Sequence, residues 1–298
     1  MLNVFYRPEQ CALQNSPSPS SNKPRHVVRD WKKHFLGQFQ VNSFEPVSRA
    51  DFKRVHDAKV VDAVLDCHAP NGFGEISHVV AQSLPYTSGS LLAASEYAVL
   101  NQTQTCSPTS GFHHATFNKP QMYCTFNGLM VAAAALHASG LVHSVGIIDC
   151  DAHYGNGTDD IVRRFELNWV RHHTMGQRFH SHRDVVKSSE GGTTFTRWLK
   201  RAIDDVQGCD LVLYQAGADP HINDPLGGVL TTAQMLERDR MVFEGLRGKP
   251  LVWNLAGGYQ TLSLPEGDDA ESEAARLEPV LALHRNTLQT HLEVLEGA

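Results

Sequence analysis

The sequence predicts an α/β fold in which a central, mostly parallel sheet is flanked by helices on both faces, forming one domain over residues 1–298. Three observations carry this. Short apolar runs alternate with longer stretches of helical spacing, the order that builds βα units and a parallel sheet. Several of those runs stop abruptly in Asp, Asn and Gly, as strands do at the carboxyl edge of such a sheet. No internal repeat and no linker-like stretch divides the chain.

Taken in order, Val4–Tyr6 reads as a short first strand. Residues 8–26 contain Asn15-Ser16-Pro17-Ser18-Pro19-Ser20-Ser21-Asn22 and read as a surface loop, because so polar a tract buries too little to offset its ordering. A helix opens at Asp51 and runs to about Cys67, with Phe52, Val55, Val60, Val64 and Leu65 near helical spacing and Pro70-Asn71-Gly72 closing it. Gly89–Leu100 is a second helix. A third starts at Phe126, passes His137 and stops at Gly140, a C-terminal glycine signal. Strand and helix then alternate: strand Leu141–Cys150, helix Asp159–Phe165, strand Leu167–Met175, helix Phe195–Val206, strand Asp210–Ala216, helix Thr231–Leu246 and strand Leu251–Leu255. A helical region follows Asp269.

Composition removes several function classes. The 26 basic and 32 acidic side chains give a net charge of -6, which argues against direct binding of nucleic acid. The apolar stretch Leu129–Leu136 is far too short to span a membrane. Met1–Arg7 lacks a basic region followed by an apolar signal core. Six cysteines without paired spacing read as those of a reduced, cytoplasmic protein. The 17 histidines raise the expectation of a metal or acid/base site.

Four segments at predicted strand ends, or in adjoining loops, carry residues able to do chemistry. They are Ser110-Gly-Phe-His113-His114, then Asp149-Cys-Asp151-Ala-His153-Tyr-Gly-Asn156-Gly157, then Gly217-Ala-Asp219, and finally Gly257-Gly258-Tyr259. Strand side chains alternate between faces, so Asp149, Asp151 and His153 point one way as their strand gives out. Asp151, His153 and Asp219 make a three-ligand catalytic zinc site that leaves room for water and substrate. His113 and His114 suit general base and general acid duty. Tyr259, beside two glycines that let backbone come close, can donate its hydroxyl to a developing oxyanion.

Together these motifs resemble the zinc-dependent histone deacetylase family, with its bacterial acetylpolyamine amidohydrolase and acetoin-utilisation relatives. The resemblance runs in order over roughly residues 44–260, including Glu45-Pro46 and Val55-His56-Asp57. It implies that Asp151, His153 and Asp219 bind Zn2+ and that Tyr259 polarises the acyl carbonyl. It further implies that Asp149 orients His113 while holding a structural K+, and that Asn156 partners His114. The asparagine there is like the class II and bacterial branch. Tyr123 is expected to line the acyl-lysine tunnel, with Gly257 and Gly258 beside the substrate. The implied reaction is hydrolysis of an acyl group, acetyl above all, from the amine of an acetylated lysine or a small acetylated amine.

The sequence also departs from the family. Met122 stands where a glycine is common, and Gln177–Arg183 replaces a Pro-Gly-Thr-Gly-like turn and a second tunnel aromatic, with Phe179 and His180 competing for that wall. Two other readings start from the same residues. An arginase-like ureohydrolase needs two manganese ions and further carboxylates, but Tyr154-Gly155-Asn156 supplies none and Asp219-Pro220-His221 offers one obvious ligand. A deacetylase-like binding or regulatory module with weak catalysis would not require the intact set of ligands, histidines and tyrosine.

Overall fold

The computed structural model describes residues 1–13, 18–186, 193–263 and 270–297. In chain order these form β1 (Leu2–Phe5), α1 (Lys23–His34), β2 (Phe39–Asn42), α2 (Arg49–Lys53), α3 (Ala58–Leu65), α4 (His78–Asn101), β3 (Gln104–Cys106) and α5 (Gly128–Ala138). They continue with β4 (Val145–Asp149), α6 (Asn156–Arg164), β5 (Val170–Thr174), α7 (His182–Val186), α8 (Thr194–Val206), β6 (Leu211–Gln215), α9 (Thr232–Gly245), β7 (Leu251–Asn254), α10 (Ala270–Arg276) and α11 (Glu278–Glu296). The seven strands form one sheet in the order β2-β1-β3-β7-β6-β4-β5, and every pairing is parallel.

The inner strands β4, β6 and β7 are buried along their whole length because both faces are covered, whereas the edge strands β2 and β5 carry polar, partly exposed residues. Alternation divides their side chains between two cores. In β6, Val212 and Tyr214 join Trp31, Phe243 and Trp253 under α1, α8, α9 and α11. Leu211 and Leu213 join Phe52, Phe126 and Leu129 on the opposite face, under α2 to α5. Trp31 and Trp253 are fully buried with ring centroids 5.5 Å apart, and burying each large apolar side chain contributes on the order of 2–3 kcal/mol.

Several helices start where short polar side chains satisfy free N–H groups. Asp57 accepts from the N–H groups of Lys59 and Val60 at the start of α3, and Asn127 accepts from Met130 N–H at the start of α5.

Several sequence expectations need correction. The 8–26 segment is no surface loop: its described part contains two 3-10 turns and the start of α1, with Gln10, Ser18, Ser20 and Lys23 buried. Residues 14–17 lie outside the described residues. Tertiary contacts override its polar composition; Gln10 Nε2, for example, donates to Pro108 O at 2.8 Å. The helix expected from Asp51 to Cys67 is two helices, because the Asp57 side chain caps a new one. The helix expected from Gly89 begins at His78 and contains Pro85. The short strands β2 and β3 escaped notice, since runs of four and three residues carry little periodicity.

Candidate active site

The order β3-β7-β6-β4 makes neighbours of the four strands whose carboxyl ends lead into the motif-bearing segments. His113 and His114 lie in the loop after β3, Asp151 and His153 after β4, Asp219 after β6, and Gly257–Tyr259 after β7. The parallel topology thus brings residues more than a hundred positions apart to one edge.

Asp151 Oδ1 and Asp219 Oδ2 each lie 3.0 Å from His153 Nδ1, and one ligand atom from each of the three falls within 4.8 Å of the others. Asp219 Oδ1 is buried with no hydrogen-bond partner among the described residues. Burial, followed by the charge of Asp151, pushes the Asp219 carboxyl well above its ordinary range. Two buried carboxylates this close are disfavoured together unless a cation joins them. The donor set of two carboxylates and one imidazole suits zinc. Gly257 N–H donates to Asp151 Oδ2 at 2.9 Å and Ala152 N–H to Asp219 Oδ2 at 3.1 Å. A Cβ at Gly257 would stand 2.6 Å from Asp219 Cγ, so only glycine fits against the ligands. Gly258 has φ 145°, a conformation other residues rarely adopt.

The two histidines have different partners. His113 Nδ1 lies 2.7 Å from Asp149 Oδ2, and His114 Nδ1 lies 2.7 Å from Asn156 Oδ1. Their ring centroids lie 4.1 Å apart, with the planes tilted by 50°. Burial disfavours a charge on His113, but Asp149 and, further off, Asp151 raise it to about 9. For His114, burial and the adjacent His113 lower it to about 4, only partly opposed by Asn156. Asp149 is itself held by Asp151 N–H at 3.1 Å and Gln215 Nε2 at 3.0 Å.

Tyr259 N–H donates to Asp224 Oδ2 at 2.7 Å, and its ring faces the His153 ring edge-on at a centroid distance of 6.4 Å. Burial and the charges of Asp151 and Asp219 keep that hydroxyl protonated, well above its usual range. Tyr123 packs 6.1 Å from the Tyr259 ring. Met122 and Tyr123 have φ of 49° and 63°, in the left-handed region that favours glycine.

A recess of about 360 Å³ opens beside His153, lined by His114, Met122, Tyr154, Asn156, Phe179, His180 and Leu226 among others. Phe179 and His180 therefore both form the wall for which they competed in the sequence. Phe179 also packs against Phe195 and Trp198 in the core. His221 turns away from the ligands, its Nε2 2.9 Å from Thr232 Oγ1.

Sequence reasoning missed four supporting residues. Arg238 is fully buried and donates through Nη1 to Gly217 O at 2.7 Å and Cys150 O at 3.3 Å, joining the backbones that lead into Asp219 and Asp151. Asp239 holds the Arg238 Nε at 2.9 Å. Lys23, also fully buried, donates to Ala256 O at 2.7 Å, just before the two glycines. His172 Nδ1 lies 2.8 Å from Asp159 Oδ1, with its Nε2 3.8 Å from Asp149 Oδ2. The one available signal was for His172, which strand alternation places on the same face as Thr174, the register partner of Asp149.

Residues 20–182 match the histone deacetylase domain family. Histone deacetylase 10, chloroplastic, of Oryza sativa subsp. japonica is 30% identical over 196 residues, covering 57% of this chain and 44% of that protein. The chain spans less than two thirds of the length of the curated relatives it matches. The crystal structure of the HDA15 HD domain superposes with a TM-score of 0.70 at 19% identity, over 99% of this chain and 93% of the other. Acetylpolyamine aminohydrolase from Burkholderia pseudomallei gives 0.67 at 15% identity, over 98% of both. The family match covers more than half of the chain, the fold agrees along its length, and four strand ends converge on one carboxylate–imidazole cluster: this chain belongs to the histone deacetylase domain family.

Proposed function

We propose that residues 1–298 form one deacetylase-like catalytic domain, a zinc-dependent amidohydrolase that removes an acyl group, chiefly acetyl, from the amine of a lysine side chain or polyamine-like substrate. The observation that carries the reading is the junction of Asp151, His153 and Asp219, with its partnerless carboxylate oxygen, beside the His113–His114 pair. Asp151, His153 and Asp219 would hold zinc, which when bound supplies a Lewis acid that polarises the acyl carbonyl and makes water more acidic.

The chain's own groups divide the remaining work. With its Nδ1–H given to Asn156, neutral His114 offers Nε2 as the base that removes a proton from water. His113, kept protonated by Asp149, donates a proton to the departing amine. Tyr259, kept neutral by burial and the charges of Asp151 and Asp219, offers its hydroxyl to the oxyanion. A structural potassium ion held at Asp149 belongs to the same proposal; the carboxylate accepts from His113, Asp151 N–H and Gln215 and still has lone-pair capacity for a cation. The six free thiols, four of them buried, fit a reducing cytoplasmic location; no described helix is long and apolar enough to cross a membrane.

Removing a ligand carboxylate tests the reading. Asp219→Ala is expected to lose bound zinc and acetyl-lysine hydrolysis together. Full zinc by elemental analysis, with wild-type turnover, would contradict the ligand assignment.

A further inference from the structure

A second recess, of about 750 Å³, adjoins the catalytic one. Met122, 54% exposed, lines both. One wall is α3, presenting Lys59, Val60 and Ala63; the other is the Lys119–Tyr123 loop. The floor is tied together where Tyr123 N–H donates to Gly72 O at 2.8 Å, with the Phe73 and Tyr123 rings 5.6 Å apart. This volume is large enough for a few residues of an extended chain.

The charges of the groove are one-sided. Among the described residues, no carboxylate is part of the lining of this recess or of the one beside His153. Lys59 and Lys119 are exposed, and neither takes part in an ion pair among the described residues. The acidic residues of the α3 region are engaged elsewhere: Asp62 and Asp66 pair with Arg49 and Lys53, and Asp57 caps the helix. An acylated polyamine would bring ammonium groups to a recess lined by two lysines and by no carboxylate.

From this we infer that the groove selects the sequence around the acyl-lysine of a polypeptide substrate, taking apolar side chains against Val60 and Met122 and an acidic side chain against Lys59 and Lys119. The inference rests on the deacylase reading and narrows its substrate class.

The test compares acetyl-lysine octapeptides that differ only in carrying two Asp or two Lys within four residues of the acetyl-lysine, placed on either side, with acetylspermidine as the small cation. The quantity read is the Asp-to-Lys ratio of kcat/KM, which cancels any general loss of activity. Exposed charge pairs give modest effects, so a ratio of about 3–10 is expected for the wild type at low salt, shrinking as salt rises. It should fall below one in the Lys59→Glu/Lys119→Glu double variant. A wild-type ratio near one, a ratio unchanged in the double variant, or faster hydrolysis of acetylspermidine than of either peptide would overturn the inference. If no substrate is hydrolysed, the deacylase reading fails, and fluorescence anisotropy with the same peptides labelled decides the groove separately: tighter wild-type binding of the Asp peptide, reversed in the double variant, upholds it, and equal affinities overturn it.

Discussion

The carboxyl edge of the sheet and the inner face of α11 both bury histidines, yet they put them to opposite uses. At the edge, His113 is pressed against a carboxylate and raised to about 9, while His114 faces a neutral amide and is lowered to about 4. On α11, His291 accepts from Trp253 Nε1–H at 3.0 Å and lies 2.8 Å from Gln104 Oε1, stacked on Phe243 with centroids 4.2 Å apart. Burial alone pushes it down to about 3, so it is a neutral structural ring. The comparison teaches that the number of histidines says little about chemistry. What distinguishes a functional pair is a partner that sets each ring's charge.

The comparison breaks most sharply at Tyr259. Tyr259→Phe removes one hydroxyl from the site and is expected to keep zinc and thermal stability while turnover falls on the order of 10²- to 10³-fold. An unchanged kcat would remove Tyr259 from the mechanism.

On the α11 side the expected effect is on folding. His291→Leu leaves Trp253 N–H and the Gln104 carbonyl without partners, at a cost of about 1–3 kcal/mol near pH 7.5, with turnover per folded molecule unchanged. The sign of the pH effect follows from the lowered pKa. The wild type's contribution is fully present above the unfolded value of 6.5 and is lost as pH falls toward about 3. The stability gap between wild type and variant should therefore narrow by about 2 kcal/mol between pH 7.5 and 5. Urea midpoints showing a constant gap would mean that His291 is not held neutral by the fold.

Smallest in effect is the change that makes the two edge histidines alike. Asn156→Asp gives His114 a carboxylate, as His113 already has. The pKa of His114 should rise, and the acidic limb of kcat/KM should move upward because the base must be neutral. An unmoved limb in protein of verified zinc content would detach Asn156 from His114, or His114 from the base role.

Much of the edge was legible because apolar strands stopping in Asp and Gly are local signals. The runs into Asp149, Gln215 and Asn254 each showed where a strand gives out, and the parallel sheet then brings those ends together. The supporting residues were not legible for the opposite reason. Lys23 reaches Ala256 and Arg238 reaches Cys150, contacts that span 233 and 88 positions and leave no periodic trace. Polar composition misled in the segment before α1, where Gln10 and Ser20 are buried by residues far along the chain. The Gln177–Arg183 turn could be placed only in three dimensions, because Phe179 serves the core and the recess at once.

The central claim is that one zinc ion, held by Asp151, His153 and Asp219, supports amide hydrolysis at this edge. Stripping the metal with a chelator and titrating zinc back, while following acetyl-lysine peptide hydrolysis, tests it most directly. Activity should return in proportion to added zinc and reach its plateau at one equivalent per chain. A plateau reached only with two equivalents of manganese, or no hydrolysis at one bound zinc per chain, would contradict it.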